Sequence, residues 1–377
     1  MPVDVGCLSS SLASCQSKPA ILNALKELTM TLSSHLRLAL AVTSLMSLAS
    51  CSLSSGSASP AGEGLGAVTL RYQGSANNVL LPELAQDLGF FSKVKLDWVG
   101  NTISGPQDIQ SAATGQTDFG GAFSGAVVKL IKAGAPVKAV VNYYGEDAKT
   151  FNGFYVKVAS PIHTPRDLIG KKVAVNTLGA HSEAVIDTYL QRSGLSRSEI
   201  SQVQLVVLPP NDTEQAVRRD QVDVGVLGGV LQDRAIADGG LRSLFSDYQL
   251  FGAFNAGQYV MRNEFVAKYP QAVKDFVTGV AKAIEWERST PRAKVIARFT
   301  QIIQKRHRNE STDNLKYWKS VGVSSPGGRI SDSDYEQWRG WLEQSGIVSP
   351  GTLRASSFYT NDFNGLVSGA VKVGGLR

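Results

Sequence analysis

Two stretches of the chain follow the same order of strands, polar loops and helices, and each closes on a similar motif. The motif is GQTDFG at residues 115–120 in the first stretch and DQVDVG at residues 220–225 in the second. A repeated α/β unit within 377 residues predicts two lobes with a cleft between them. In open α/β sheets, ligands bind outside the carboxyl ends of the strands, so this cleft is the expected binding site.

Hydrophobic periodicity gives the predicted elements of both units. In the first unit the predicted elements are strand 68–72, helix 79–91, strand 94–99, a helix opened by Ser104, and a strand from Asp118. In the second they are strand 172–176, a helix from about 182, strand 205–208, a short helix capped by Asn211 and Asp212, and strand 223–227. After residue 256 the pattern turns helical, and Trp338 and Trp341, on a predicted helix over 334–344, are expected in the core.

The N-terminal 50 residues have the features of a signal peptide. A weakly basic segment at 30–37 precedes an apolar run at 38–47, which is too short to span a bilayer. The sequence LASC at 48–51 then matches a bacterial lipoprotein cleavage site, and a Ser/Gly-rich tether follows over 51–67. We expect a lipid on Cys51, an extension at 1–29 ahead of a true start at Met30, and a protein anchored in the periplasm or cell envelope. An ordinary cleaved signal peptide is the alternative.

Composition excludes several classes of protein. The only cysteines are Cys7, Cys15 and Cys51, so the rest of the chain has no disulfide framework, cysteine metal site or catalytic thiol. The net charge of +6 is spread along the chain, without the dense basic block of a nucleic-acid-binding protein. No nucleophile elbow, phosphate-binding loop or zinc-protease motif occurs, and the four histidines are dispersed. We therefore expect no enzymatic activity, no cofactor and no metal site.

Three loops that follow predicted strands combine glycine with hydroxyl side chains. Backbone N–H groups at helix N-termini bind anions well, and glycine allows close approach. Simple helix capping by the serines is the alternative for each loop. The loops, together with residues that follow other predicted strands, give these candidate ligand-binding residues: Gln73, Gly74, Ser75, Ser104, Gly105, Phe123, Ser124, Tyr143, Tyr144, Gly179, Ala180, His181, Ser182 and Tyr259.

An ordered set of short motifs gives the chain a family resemblance. It includes ELAQDLGFF at 83–91, ATGQTDFG at 113–120, AGAPVK at 133–138 and LIGKKVAV at 168–175. In this order they resemble the bacterial solute-binding proteins for aliphatic sulfonates, nitrate and taurine, a family that includes pyrimidine-precursor binders of thiamine biosynthesis. One departure is GGV at 228–230, where the family often has an aromatic–acid–proline turn.

The resemblance implies a type II periplasmic binding protein fold, with two Rossmann-like lobes joined by two crossing strands. It assigns residues 68–157 and 257–377 to lobe 1 and residues 158–256 to lobe 2. It further implies a monomer that captures a sulfonate-like anion, such as an alkanesulfonate or taurine, and delivers it to an ABC permease with its ATPase. Nitrate, a pyrimidine or thiamine precursor, and a sensor or enzyme on the same fold are the alternatives.

Overall fold

Residues 67–366 are described by a computed structural model, in which helices flank three β-sheets. The expected signal peptide and Cys51, with all but the last residue of the tether, lie outside the described residues. Within residues 67–366, no helix has both the length and the apolarity needed to cross a membrane.

The strands are β1 (Val68–Gly74), β2 (Val94–Asn101), β3 (Phe119–Phe123), β4 (Val137–Glu146), β5 (Asn152–Lys157), β6 (Lys172–Val175), β7 (Gln204–Val207), β8 (Val224–Gly228), β9 (Leu241–Ser246) and β10 (Phe254–Arg262). The α-helices are α1 (Leu81–Asp87), α2 (Gly105–Ala113), α3 (Ser124–Lys132), α4 (His181–Arg192), α5 (Arg197–Ile200), α6 (Pro210–Arg218), α7 (Gly229–Ala237), α8 (Asp247–Phe251), α9 (Asn263–Lys268), α10 (Pro270–Ser289), α11 (Arg292–Lys305), α12 (Ser333–Glu336) and α13 (Arg339–Gln344). Most of the predicted elements are present with shifted ends, but the helix predicted over 334–344 is two short helices.

The sheets divide the described chain into two parts. The parallel pair β1-β2 and the sheet β3-β10-β4 form one part, and the five-stranded sheet β7-β6-β8-β5-β9 forms the other. Reciprocal bonds tie β1 to the start of β3, because Asp118 N donates to Arg71 O at 2.9 Å and Arg71 N donates to Asp118 Oδ2 at 2.8 Å. Below, the first lobe denotes residues 67–146 and 254–366, and the second lobe denotes residues 152–251.

These pairings move both boundaries that the family resemblance implied. Strand β5, expected in the first lobe, is antiparallel to β8 and β9 in the second. Strand β10 joins the first lobe from its first residue, where Phe254 is opposite Glu146. The chain therefore crosses between the lobes at residues 147–151 and 252–253.

Aromatic side chains from separate segments fill the core beside the crossings. Trp338 is fully buried, and its ring packs edge-on against Phe123 with centroids 4.7 Å apart. Trp341 is also buried, and its Nε1 donates to Asp187 Oδ2 of the second lobe at 3.1 Å. The prediction that both tryptophans are core residues is confirmed.

A buried ionic network in the first lobe has Glu83 of α1 at its centre. The Glu83 carboxylate accepts hydrogen bonds from Tyr72 Oη at 2.6 Å, Arg306 Nη1 at 2.7 Å and Arg308 Nη1 at 2.8 Å. All three charged side chains are nearly buried. The network therefore fixes β1 and α1 to the segment after α11.

Replacing Glu83 should destabilise the protein strongly. Glu83→Ala leaves two buried guanidinium groups without this partner, and breaking a buried pair in this way costs about 3–5 kcal/mol. Urea unfolding followed by circular dichroism measures the change. Glu264→Ala is the matched control, since that side chain is 80 % exposed and surface pairs contribute about 0–1 kcal/mol. Equal midpoints for the two variants would contradict the assigned role of the network.

Candidate functional site

A continuous cleft lies between the two lobes. It consists of a large cavity of about 520 Å³ and a small cavity of about 330 Å³. Their walls share Gly105, Tyr143 and Tyr144 from the first lobe, with Gly228 and Leu231 from the second. These volumes are typical of cavities that enclose small molecules.

The three loops predicted to contact a ligand are residues 73–75, 104–105 and 179–182. Each of them reaches this cleft, at least in part. The loop at residues 73–75 and the pair Ser104-Gly105 line the large cavity. Residues 180–182 line the small one. Loops that are far apart in sequence therefore meet at one site, as the strand-end argument predicts.

Ser104 both caps a helix and lies on the cleft wall. Its Oγ accepts from Gln107 N at 3.4 Å at the start of α2. The same Oγ donates to Thr177 Oγ1 of the second lobe at 3.3 Å. Next to it, Asn176 Nδ2 donates to Ile103 O at 3.1 Å, so two hydrogen bonds span the cleft directly.

Ser124 and Gly179 are candidate residues that line neither cavity. Ser124 is fully buried, and its Oγ donates to Ala256 O and accepts from Gln258 Nε2. Gly179 has a φ of +68° and donates its N–H to Glu183 Oε2 at 2.8 Å. Both residues therefore stabilise the local backbone: Ser124 binds the main chain of β10, and Gly179 binds a side chain in the first turn of α4.

The aromatic candidates form a cluster at the junction of the two cavities. Tyr143 and Tyr144 lie within β4, whereas the sequence predicted them after it. Tyr143 stacks on Tyr259 with centroids 4.2 Å apart, and both line the large cavity. Phe123 lines the small cavity and stacks on His181 at 5.4 Å.

His181 is a neutral group in this site. It is nine-tenths buried, and burial lowers the pKa of its imidazole to about 3. His181 therefore carries no positive charge near neutral pH with which to attract an anion.

Two segments near the cleft differ from the sequence prediction or the family pattern. Helix α6 begins at Pro210 with Pro209 as its cap, so Asn211 lies inside the first turn and lines the large cavity instead of capping. At 228–230, Gly228, Gly229 and Val230 line the large cavity, where the family often presents an aromatic ring.

Two acidic residues on the large cavity were missed by sequence reasoning. Asp108 Oδ2 accepts from Gly121 N at 2.7 Å, whereas Oδ1 is buried without a partner, and burial raises the pKa of the carboxyl to about 7. Glu287 is 6 % exposed, its side chain has no hydrogen bond or ion pair within residues 67–366, and burial raises its pKa to about 8. The one available signal was that Glu287 continues the apolar face of α10 through Val280 and Ile284.

The cleft wall is poor in positive charge and rich in hydrogen-bond acceptors. Among the described residues, neither cavity is lined by a lysine or an arginine. Three buried oxygens on the large cavity lack partners, namely Gln73 Oε1, Asp108 Oδ1 and Tyr259 Oη. Buried polar atoms are almost always hydrogen-bonded, so a bound molecule with donor groups would complete this site.

Glu287 should make the stability of the protein depend on pH. The folded state holds the Glu287 proton more tightly than the unfolded chain, where the pKa is about 4.3. The stabilisation from the protonated carboxyl is therefore lost as pH rises from about 5 through 8. We expect the melting temperature of Glu287→Gln, relative to that of the wild type, to rise as the pH increases from about 5 to 8. A difference between the two proteins that stays constant from pH 5 to 9 would contradict this assignment, and Glu264→Gln serves as the exposed control.

The chain is similar in sequence to a known protein family and to a periplasmic binding protein. A family model described as NMT1/THI5 like matches residues 80–294. The taurine-binding periplasmic protein of Escherichia coli K12 is 24 % identical over 216 residues, which is 57 % of this chain and 65 % of that protein. The matched region thus spans just under two thirds of the length of this curated relative.

Solved structures show the same fold. The alkanesulfonate-binding protein SsuA from Xanthomonas axonopodis pv. citri, bound to MOPS, aligns with a TM-score of 0.61 at 20 % identity and covers 79 % of this chain and 100 % of that one. The periplasmic nitrate-binding protein NrtA from Synechocystis PCC 6803 aligns with a TM-score of 0.57 at 14 % identity, covering 76 % and 83 %. The predicted periplasmic binding protein fold is therefore confirmed. Since the family model matches more than half of the residues, the chain belongs to the NMT1/THI5-like family.

Proposed function

We propose that this protein is the solute-binding component of an ABC importer and acts by binding, not by catalysis. It would capture a small organic solute between its lobes and pass it, as a monomer, to a permease with its ATPase. The observation that carries the proposal is the continuous cleft, whose walls come from both lobes. A hydrogen bond between the Ser104 and Thr177 hydroxyl groups joins the two lobes across it. Closure of two lobes around a ligand is a common mode of capture.

The N-terminus of α4 favours an anionic end on the ligand. Its cap residue, Ala180, has no side chain to bond the first-turn N–H groups, and His181 and Ser182 line the small cavity. Unpaired N–H groups and the helix dipole bind an oxyanion without a charged side chain. Tetrahedral sulfonate suits such neutral donors, and relatives are named for sulfonates and taurine.

The large cavity favours a positively charged amine at the other end. Glu287 is unpartnered there, and the rings of Phe299 and Trp318 line the same cavity. A carboxylate and aromatic rings on the wall of one cavity attract an ammonium group by charge and by cation–π contact, respectively. We therefore propose an organic sulfonate that also carries an amine as the ligand class. Nitrate fits less well because it would leave most of the cleft unfilled.

Calorimetry with matched ligands tests this ligand class. The panel pairs taurine with ethanesulfonate, which lacks the amine, and adds MOPS, nitrate and a pyrimidine precursor of thiamine. An amine-bearing sulfonate should bind at least about 10-fold more tightly than its amine-free match, since a hydrogen bond to a charged group contributes about 1.5–3 kcal/mol. Affinity for it should also rise from pH 6 to 8.5 as Glu287 ionises.

Variants identify the group responsible for this preference. Glu287→Gln should remove most of the preference for the amine, whereas Glu264→Gln should leave it unchanged. Equal affinity for the two matched ligands would overturn the amine assignment. Preferential binding of nitrate or of the pyrimidine would overturn the proposed ligand class and identify that compound as the better ligand. Failure of every ligand to bind would count against the solute-binding proposal itself.

We also propose that a lipid on Cys51 anchors the protein in the periplasm or cell envelope. The support is the LASC sequence at 48–51 followed by a Ser/Gly-rich tether. Cys51→Ser should move the protein from the membrane fraction to the soluble fraction, because a covalent lipid supplies the membrane affinity. Ser57→Ala, in the tether, is the control and should leave the distribution unchanged. An unmodified Cys51 in the mass spectrum of membrane-fraction protein would contradict the anchor.

A further inference from the structure

Three buried residues from distant parts of the sequence meet where the chain crosses between the lobes. Glu146 is the last residue of β4, His181 the first of α4 and Asp247 the first of α8. One potential ligand atom from each lies within 4.8 Å of those of the other two. His181 and Asp247 are closest, with Nε2 and Oδ2 separated by 3.6 Å.

The hydrogen bonds around this cluster leave its central atoms unsatisfied. Asp247 Oδ1 accepts from Asn152 N at 3.0 Å and from Tyr248 N at 2.7 Å. Glu146 accepts from Asn152 Nδ2 at 2.7 Å through Oε1. In contrast, Asp247 Oδ2 and His181 Nε2 are both buried and have no hydrogen-bond partner. Backbone and amide N–H groups of Asn152 and Tyr248 thus hold one oxygen of each carboxyl group in place, while His181 Nε2 and Asp247 Oδ2 make no hydrogen bond.

The charge of the cluster is also unbalanced. Within residues 67–366, no lysine or arginine forms an ion pair with Glu146 or Asp247. Buried ionised groups are stabilised by pairing, by coordinating a metal or by taking up a proton. Here burial and the neighbouring carboxylate raise the pKa of Glu146 well above its usual range, so a proton between Glu146 and Asp247 offsets part of the charge when no cation is bound. A divalent ion would displace that proton, balance both carboxylates and bond to the unpaired imidazole nitrogen.

We propose that Glu146, His181 and Asp247 form a binding site for a divalent cation of the zinc class. An imidazole nitrogen with two carboxylate oxygens matches the donors that zinc accepts, whereas calcium and magnesium prefer oxygen alone. The Asn152 amide orients Glu146 from outside, as outer-shell groups do in metal sites. Three protein ligands leave a fourth coordination position for water or a bound molecule.

The sequence predicted no metal site because the four histidines are dispersed along the chain. A single histidine suffices here because the fold adds two acids that are 35 and 66 residues away from it in sequence. The site borders the cleft, since His181 and Asn152 both line the small cavity. A cation here would supply positive charge that the described wall of the cleft otherwise lacks. This inference stands independently of the proposed solute.

Zinc titration of the full chain tests the site directly. Cys7, Cys15 and Cys51 are replaced by serine in every protein, so that thiols cannot bind the metal. After chelator treatment, calorimetry with zinc chloride should show one equivalent bound, with magnesium and calcium binding at least about 10-fold more weakly. Less than half an equivalent of bound zinc, or equal affinity for magnesium, would overturn the proposal.

Matched variants locate the bound ion. Asp247→Asn and His181→Ala should each weaken zinc binding by at least about 100-fold, and Asn152→Ala by about 10–100-fold. His163→Ala and His307→Ala, at exposed positions, should have no effect. Unchanged affinity in Asp247→Asn, or loss in an exposed-histidine control, would overturn the assignment. X-ray absorption at the zinc edge needs no ligand variant: one imidazole with oxygen donors supports the site, and a spectrum without imidazole contradicts it.

Discussion

Strand β10 returns the chain into the centre of the first lobe, and the geometry of the site depends on that return. Its residues pair with β3 on one side and β4 on the other, both antiparallel. Because β4 leads out to the second lobe and β10 leads back, the lobes are covalently joined twice at adjacent places. This double connection keeps the strand ends of both lobes facing one cleft, and it brings Glu146 beside Asp247.

Local sequence signals predicted the fold well where they reflect local physics. The Ser104-Gly105-Pro106 start of α2 was read correctly, because a capping serine and an early proline are properties of neighbouring residues. Gly115 and Gly194, with φ of +80° and +81°, lie just after helices, where the left-handed conformation that ends many helices favours glycine. The placement of β5 could not be predicted in this way, since strand pairing depends on distant partners.

The candidate site was predicted less completely, for a related reason. A loop at a strand end can be recognised from sequence, and most of the residues chosen on that basis line the cleft. Ser124 met the same criterion, yet its hydroxyl turns inward to Ala256. Asp108 and Glu287 are single acids inside helices, and the one local signal is that Glu287 lies on the apolar face of α10. Their importance arises from burial alone, which tertiary packing determines.

The hydrogen bonds that span the cleft have a consequence for how fast a solute can enter. Besides Ser104–Thr177 and Asn176–Ile103, Lys319 pairs with Asp233 and Arg197 donates to Gln344 O, and each contact joins one lobe to the other. Moving the lobes apart breaks all four contacts, so together they oppose opening of the cleft. In the proposed solute-binding role, a solute can enter only the fraction of molecules that are open, and the apparent affinity is lowered by that fraction. The rim contacts therefore slow both entry and release, because the lobes must separate for each.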